Sequence, residues 1–296
     1  EGGFSEVFRV TEEKEGEEVG KECSTKILKV LKESEFSVFC REITTMARLY
    51  HPFLLTLHGF SSSPPPSSML LEDMELGDFR SYLVAHDSVS PNMQMSVAAQ
   101  VCEGMKYLHS QVPAILHLDL KSPNVLLSRH LPKDRTINSS SFSEQQPIIA
   151  KIADFGCAHS LAMSDYIYIQ NNHLGNCSWT DPSILLTNLA SKPSDVYSFG
   201  ILLWEIHTNK LPFENYQWMS DIEDAVLRGE RPPVPESCPT GLKELMERCW
   251  KGEPGERPEF EEVLEALEKV CQDWVGCSVE DFGVLLGVKE GDRRDG

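Results

Sequence analysis

Four short strings carry side chains able to do chemistry, and they follow one another along the chain. The longest is His117-Leu118-Asp119-Leu120-Lys121-Ser122-Pro123-Asn124-Val125-Leu126-Leu127, where an acid and an amide stand five residues apart on a loop before an apolar strand. Asp119 could orient a hydroxyl nucleophile. Asn124 could offer its oxygen to a hard cation such as Mg²⁺. Lys121 could neutralise charge on a phosphoryl group in transfer. A capped polar turn uses similar residues, but the full string rarely arises by chance. The second string, Lys151-Ile152-Ala153-Asp154-Phe155-Gly156, ends an apolar strand with an acid, an aromatic and a glycine. That suits a metal ligand on a pivot, and equally a strand that closes in an Asp-containing turn.

The other two strings are weaker alone. Lys26 sits mid-strand among apolar neighbours and needs a partner for its ammonium. Glu42, on the next helix, could hold it while it reaches a phosphate oxygen; a surface ion pair of little worth would look the same. The N-terminal string Glu1-Gly2-Gly3-Phe4-Ser5-Glu6-Val7 lets backbone N–H groups approach phosphates closely at Gly2 and Gly3. A hairpin turn explains it as well.

These residues need elements to position them. Residues 7–10 and 23–28 read as strands around an acidic turn. Phe36, Phe39, Ile43 and Met46 recur at helical spacing within 34–49. Further strands are expected at 53–57 and 69–72, with a Ser/Pro loop at 61–68 that cannot pair in a sheet. From Gly77 the pattern turns helical. Ser90-Pro91 starts a helix, and Val97, Val101, Met105 and Leu108 give it one apolar stripe. Later helices are expected at 195–208, 219–227, 240–250 and 258–270. The expectation is an α+β, two-lobed chain: a small β lobe with one helix at 1–73, a larger helical lobe at 74–272 and a tail at 273–296. A polar, Ser-rich insertion occupies 129–147, and 289–296 reads as disordered.

Composition narrows the function. The 296 residues are 41% hydrophobic and 25% charged, with a net charge of -19. A core can be buried, but such a surface repels phosphate backbones and anionic lipid, so nucleic acid and membrane are poor partners. It hints at basic protein substrates. No apolar run is long enough to span a bilayer. Nine scattered cysteines without a C-x-x-C pair argue against a disulfide framework or a structural zinc site, and fit a reducing, cytoplasmic setting. With no initiator Met, the chain is expected to be a piece of a longer protein, cut inside the glycine loop, with weakened nucleotide affinity on its own.

Taken together, the four strings resemble the eukaryotic protein kinases. Asp195-Val196-Tyr197-Ser198-Phe199-Gly200, Arg248-Cys249-Trp250 and Glu256-Arg257-Pro258 add to the likeness, which covers about residues 1–274. Cys249-Trp250 and Arg257-Pro258 are similar to the tyrosine-kinase-like group. The 117–127 string, residues 148–153 after a long insertion, and Leu174-Gly175-Asn176 resemble the Roco, or leucine-rich-repeat, kinases. In that family a GTPase module and repeats accompany the kinase.

The resemblance implies ATP and Mg²⁺ as cofactors and proteins as substrates. Gly2 and Gly3 would cover the phosphates. Lys26 would bind the α and β phosphates, oriented by Glu42, while Asn124 and Asp154 would hold Mg²⁺. Asp119 would take the substrate hydroxyl, and Lys121 would stabilise the γ-phosphoryl group. Backbone groups of Glu72 and Met74 would bond adenine beside a Leu71 gatekeeper, with Val7, Ser24 and Leu126 sandwiching the ring. Met46, Leu57, His117 and Phe155 would stack as a spine, and Asp195 would brace the 117–124 loop. Lys121 after Asp119-Leu120 resembles serine/threonine kinases, and Asn176 could bridge to Asp119. Ser160, Ser164, Tyr166, Tyr168 and Ser178 are candidate phosphosites, and Cys157 is a candidate reactive thiol or a plain core residue.

Three departures stand out. Ser5 replaces the third loop glycine. Leu118 replaces the arginine that pairs with a loop phosphate in the family, so activity should depend little on a phosphate held there. Asp181-Pro182-Ser183 replaces Ala-Pro-Glu, so Arg257 must find another acid or be partly solvated. These departures motivate the alternative of a pseudokinase scaffold or allosteric nucleotide-binding module. No P-loop string of the GTPase type occurs.

Overall fold

The computed structural model describes residues 5–12, 21–28, 33–61, 67–129, 148–162, 164–169 and 177–286. Gly2, Gly3, Asn176 and most of the 129–147 insertion lie outside them, as do the last ten residues.

The small part is a four-stranded antiparallel sheet in the order β1-β2-β4-β3, formed by β1 (Ser5–Glu12), β2 (Lys21–Leu28), β3 (Leu57–Ser61) and β4 (Ser68–Glu72). Its register sets Lys26 between Val7 and Met69, and Ser24 opposite Leu71. On β4 the side chains alternate, with Met69 and Leu71 buried. One helix, α1 (Glu33–Met46), packs against the sheet region and buries Phe39 and Met46.

The strand expected at 53–57 is displaced: β3 begins at Leu57, where that strand was to end. Phe53, Leu54 and Leu55 are all buried in succession, which a half-buried strand does not do. Their backbone bonds instead to Ile152 of β8 (Ile149–Ile152): Leu55 N–H donates to the Ile152 carbonyl at 2.9 Å, and Ile152 N–H to that of Phe53 at 2.8 Å. The apolar run serves this crossing between the two parts rather than the sheet.

The larger part is mostly helical. After β5 (Gly77–Asp78) come α2 (Phe79–Ala85) and α3 (Pro91–Ser110), whose Ser90 hydroxyl accepts from the Met93 N–H. Val97, Val101, Met105 and Leu108 are fully buried along α3. Two short antiparallel pairings frame the loops: β6 (Ala114–Leu116) with β9 (His159–Leu161), and β7 (Val125–Ser128) with β8. A third pairs β10 (Tyr166–Tyr168) with β11 (Leu189–Ser191), around α4 (Pro182–Thr187). At the centre lies α5 (Lys192–Thr208), in which every residue from Ser194 to Ile206 is buried. A helix apolar all round must be buried on all sides, and the core is built on it. Then follow α6 (Met219–Leu227), α7 (Thr240–Cys249) and α8 (Phe260–Val270).

The tail folds further than its mixed composition suggests. A π turn (Cys271–Val275) leads to α9 (Val279–Leu285), where Ser278 and Asp281 cap each other and Phe282 is buried. Gln100 of α3 donates to the Leu285 carbonyl at 3.4 Å. Cys23, Cys102, Cys238 and Cys249 are buried, and the described residues hold one disulfide, between Cys271 and Cys277, rather than a framework of them. Gly276, at φ +77°, turns the chain back and sets their Cα atoms 5.8 Å apart.

Arg257 has its acid. Asp181, two residues before Ser183, meets both terminal guanidinium nitrogens at 2.8 Å, with both side chains fully out of solvent. Arg257 also donates to the carbonyls of Lys251, Pro193 and Gly252. Burial works to raise the Asp181 pKa, but Arg257 outweighs it and holds the carboxyl below its ordinary range. We expect Asp181→Ala to strand a buried guanidinium and destabilise the chain by about 3–5 kcal/mol. Urea unfolding checks this; a loss below about 1 kcal/mol, the scale of a solvated surface pair, would refute it.

Candidate active site

Lys26 on β2 points its ammonium at α1 and stands 2.8 Å from both carboxylate oxygens of Glu42, which is buried. The same nitrogen lies 3.7 Å from Oδ1 of Asp154. Burial alone would lower the Lys26 pKa, but Glu42 and Asp154 outweigh it and raise it. For Asp154 the balance runs the other way: burial would raise its pKa, yet Lys26, His117 and the Gly156 N–H hold it down. The cation and both carboxylates are one charged unit.

Asp154 adopts φ +63°, a left-handed conformation that is strained for a non-glycine residue. Phe155 beyond it is fully buried, with its ring edge-on to His117 at 5.3 Å. Gly156 leaves room there, since a Cβ would press at 3.2 Å on Val38 of α1 and at 3.3 Å on the Asp154 carboxylate. Met46 and Phe155 lie in one buried core with Leu57 packed against it, and His117 joins it through Phe155.

The 117–124 loop is fixed from below. Asp195 of α5, fully buried, accepts the N–H groups of His117 at 2.9 Å and Leu118 at 2.8 Å, and touches His109 Nε2 at 2.9 Å. Leu118 is held at φ +63°. His117 Nε2 lies 3.1 Å from the Ala153 carbonyl, tying this loop to the Asp154 turn. Above the brace, Lys121 Nζ grips both oxygens of Asp119 at 2.7 and 2.8 Å. Asn124 Nδ2 donates to the Asp119 carbonyl and to Asp119 Oδ2, at 2.7 and 2.8 Å. With its amino group so committed, Asn124 leaves Oδ1 as its free end, the end a cation needs. The Ala153 N–H, next to Asp154, donates to the Asn124 carbonyl at 2.9 Å, so the two strings are direct neighbours.

Would ATP and Mg²⁺ fit here? The Asp154 carboxylate is 48% exposed, beside a charged lysine. Among the described residues no cluster of three His, Cys, Asp or Glu side chains could hold a metal. One carboxylate and one amide oxygen suit Mg²⁺, which takes few protein ligands and completes its shell with phosphate and water. Just after β4, Met74 is buried and its N–H donates to no group among the described residues. Its carbonyl accepts from Gly77. An orphan donor there fits an adenine acceptor. The Glu72 side chain is not available to a ligand, because Lys151 holds it at 2.6 and 2.7 Å. Ser24 donates to Asp73 at 2.8 Å, Leu71 is buried, Leu126 is half-buried, and Val7 is exposed.

Burial, reinforced by Asp119 and Asp154, pushes the Cys157 thiol up to about 12, so it is no reactive thiolate. Of the candidate phosphosites Ser178 is buried, Tyr166 and Tyr168 are exposed, and Ser160 is half-buried.

Sequence reasoning missed Glu205. This fully buried carboxylate on α5 accepts from Ser122 Oγ at 2.6 Å, from Ser122 N–H at 3.3 Å and from Trp179 Nε1 at 2.7 Å. An acid inside the apolar run Ile201-Leu202-Leu203-Trp204-Glu205-Ile206 was the available signal. Asp195 and Glu205 thus grip the loop from one helix. The partners of Asp181 and Asp195, Arg257 and His109, are equally invisible in local strings.

The model of the family described as protein tyrosine and serine/threonine kinase matches residues 1–267. The chain is 36% identical over 241 residues to cyclic GMP-binding protein C of Dictyostelium discoideum, covering 79% of this chain and 8% of that one. It is 30% identical over 238 residues to probable serine/threonine-protein kinase roco8 of the same organism, covering 78% and 12%. It is 30% identical over 276 residues to mitogen-activated protein kinase kinase kinase 10 of Mus musculus, covering 92% and 27%. The chain therefore spans only a small part of these relatives' length.

Glu205 makes stability depend on pH. Burial pushes its pKa up to about 7, against the bonds from Ser122 and Trp179, from an ordinary value of 4.5. Arg80 is the other charge that faces it. Between these values the folded chain keeps a proton that the unfolded chain has lost. Its contribution to stability therefore falls as pH rises from 4.5 to about 7 and is level above that. Glu205→Gln should remove this slope, so the variant gains on the parent by on the order of 3 kcal/mol across the window. Melting curves from about pH 5 to pH 8 check it; a constant offset between the two proteins would refute it.

Proposed function

This chain belongs to the protein tyrosine and serine/threonine kinase family, and we propose that it transfers the γ-phosphoryl group of ATP to serine or threonine hydroxyls of protein substrates. The observation that carries this is the charged unit of Lys26, Glu42 and Asp154, joined to the cluster of Asp119, Lys121 and Asn124 through the bonds of Ala153 to Asn124 and His117.

In this scheme Lys26, oriented by Glu42, binds the α and β phosphates. Asp154 and Asn124 hold Mg²⁺, which when bound neutralises charge on the phosphate oxygens. Asp119 orients the incoming hydroxyl and accepts its proton. Lys121, already on Asp119, stabilises the phosphoryl group. Leu71, Glu72, Met74, Val7, Ser24 and Leu126 form the adenine slot, with Gly2 and Gly3 over the phosphates. Positioning and charge neutralisation supply most of the catalysis in such reactions. Lys121 after Asp119-Leu120, and relatives named as serine/threonine kinases, support the choice of acceptor. The likeness to Roco kinases supports a GTPase module and repeats elsewhere in a longer, cytoplasmic chain; no helix among the described residues is long and apolar enough to cross a membrane.

The full-length protein, incubated with Mg·ATP and a generic basic protein, should phosphorylate serine and threonine. Asp119→Asn should lower the rate by about 100- to 10,000-fold. Phosphoamino-acid analysis of the product reads the acceptor. ATP binding without any transfer would favour the scaffold instead, and phosphotyrosine alone would overturn the acceptor.

A further inference from the structure

Of the chain's five tryptophans, Trp179, Trp204 and Trp250 are buried and Trp274 is half-buried, but Trp218 stands 63% exposed. It occupies the cap position before α6. A side chain there serves the helix by accepting a backbone N–H, as small polar residues do. An indole only donates, and Trp218 makes no cap bond. The residue therefore serves neither the core nor the cap. Met219 beside it is exposed as well, while Ile222, Ala225 and Val226 close the inner face of α6. Leu186, on the α4 helix packed against α6, is exposed too.

The charge around this apolar pair has one sign. Glu214, Asp221, Glu223 and Asp224 are exposed, and no Lys, Arg or His stands between Lys210 and Arg228. None of the four acids reaches a cation at ion-pair distance among the described residues. The start of α6 also abuts the acceptor side of the molecule. Cys177 Sγ donates to the Met219 carbonyl at 3.2 Å, and α6 packs on the short turn Cys177–Trp179. Trp179 at the end of that turn shares Glu205 with Ser122, the neighbour of Lys121.

We propose that Trp218 and Met219, ringed by these acids, dock a basic segment of the protein substrate away from the hydroxyl that receives phosphate. This rests on the kinase activity proposed above and adds to it a second point of substrate contact. A lysine- or arginine-rich segment matches the acids, and its cations stack on the indole face. A second copy of this chain does not match, because it would bring the same acids to a shared interface. A substrate held here meets Asp119 at a raised effective concentration, so the surface acts on KM.

The test uses the full-length protein with myelin basic protein as the probe. Without nucleotide, Trp218→Ala combined with Met219→Ala should raise the dissociation constant about 10- to 100-fold. Asp221→Asn combined with Asp224→Asn should raise it too and flatten its dependence on salt. With Mg·ATP, KM for myelin basic protein should rise by a similar factor relative to KM for a short peptide cut from around its phosphorylated residue. No binding by the parent, or affinities within about twofold of the parent in both variants, overturns the surface. An equal rise in KM for the peptide and the intact protein overturns it as well, since the substitutions would then act at the transfer site. If the parent binds but phosphorylates neither substrate, the kinase reading fails, and the titration without nucleotide decides the surface by itself.

Discussion

A carboxylate shut away from water, Asp195, holds the loop that carries Asp119, Lys121 and Asn124. A charge buried in an apolar helix is tolerable only when donors surround it. Here the donors are two consecutive backbone N–H groups and a histidine ring. The requirement works in both directions. The loop must adopt the conformation that satisfies Asp195, including the left-handed backbone at Leu118, and Asp195 in turn fixes where Asp119 begins. Ten residues further along α5, Glu205 repeats the device on Ser122, which directly follows Lys121. The loop is pinned at both ends to one helix that is itself buried on all sides.

Charge ties in the smaller part beside the apolar core that the two parts share. Lys26 on the sheet, Glu42 on α1 and Asp154 at the end of β8 neutralise one another across three elements. Displacing α1 would leave a buried ammonium and a buried carboxylate without partners, so the helix position and the protonation states are coupled. Lys151 and Glu72 form a second tie between the same two regions, again a lysine from one element on an acid from another. In both ties each lysine is matched by carboxylates, although the chain as a whole carries a net charge of -19.

What could be read from the sequence follows from how local each constraint is. Asp119, Lys121 and Asn124 lie within six residues, and Asp154 leads an Asp-Phe-Gly triplet, so their chemistry and spacing are visible together. Lys26 and Glu42 were readable because one strand and one helix suffice to join them. The α3 stripe and the central α5 followed from periodicity. The strand at 53–57 failed because its burial comes from Ile152, a hundred residues away. Asp181 could not be singled out as the partner of Arg257, nor Glu205 as that of Ser122 and Trp179, for the same reason. The residue type announces a need for a partner, but only the fold chooses one.

Two departures that looked like decay differ in what the fold does about them. The acid missing at Ser183 is replaced two residues earlier by Asp181, so the buried guanidinium stays paired and α4 keeps its N-terminal cap. The arginine missing at Leu118 has no replacement within the 117–124 string. Meanwhile the strained backbone is retained at Leu118 and Asp154, on either side of the cleft, at about 1–3 kcal/mol each. At Leu118 the strain has a structural reason, since the residue packs on the Leu116, Ile169, Ile184 and Ala190 cluster and its N–H reaches buried Asp195 at 2.8 Å. At Asp154 the same backbone places the carboxylate 3.7 Å from the Lys26 ammonium and 3.4 Å from the Gly156 N–H, so in both places strain is offset by a bond that an unstrained turn would not make.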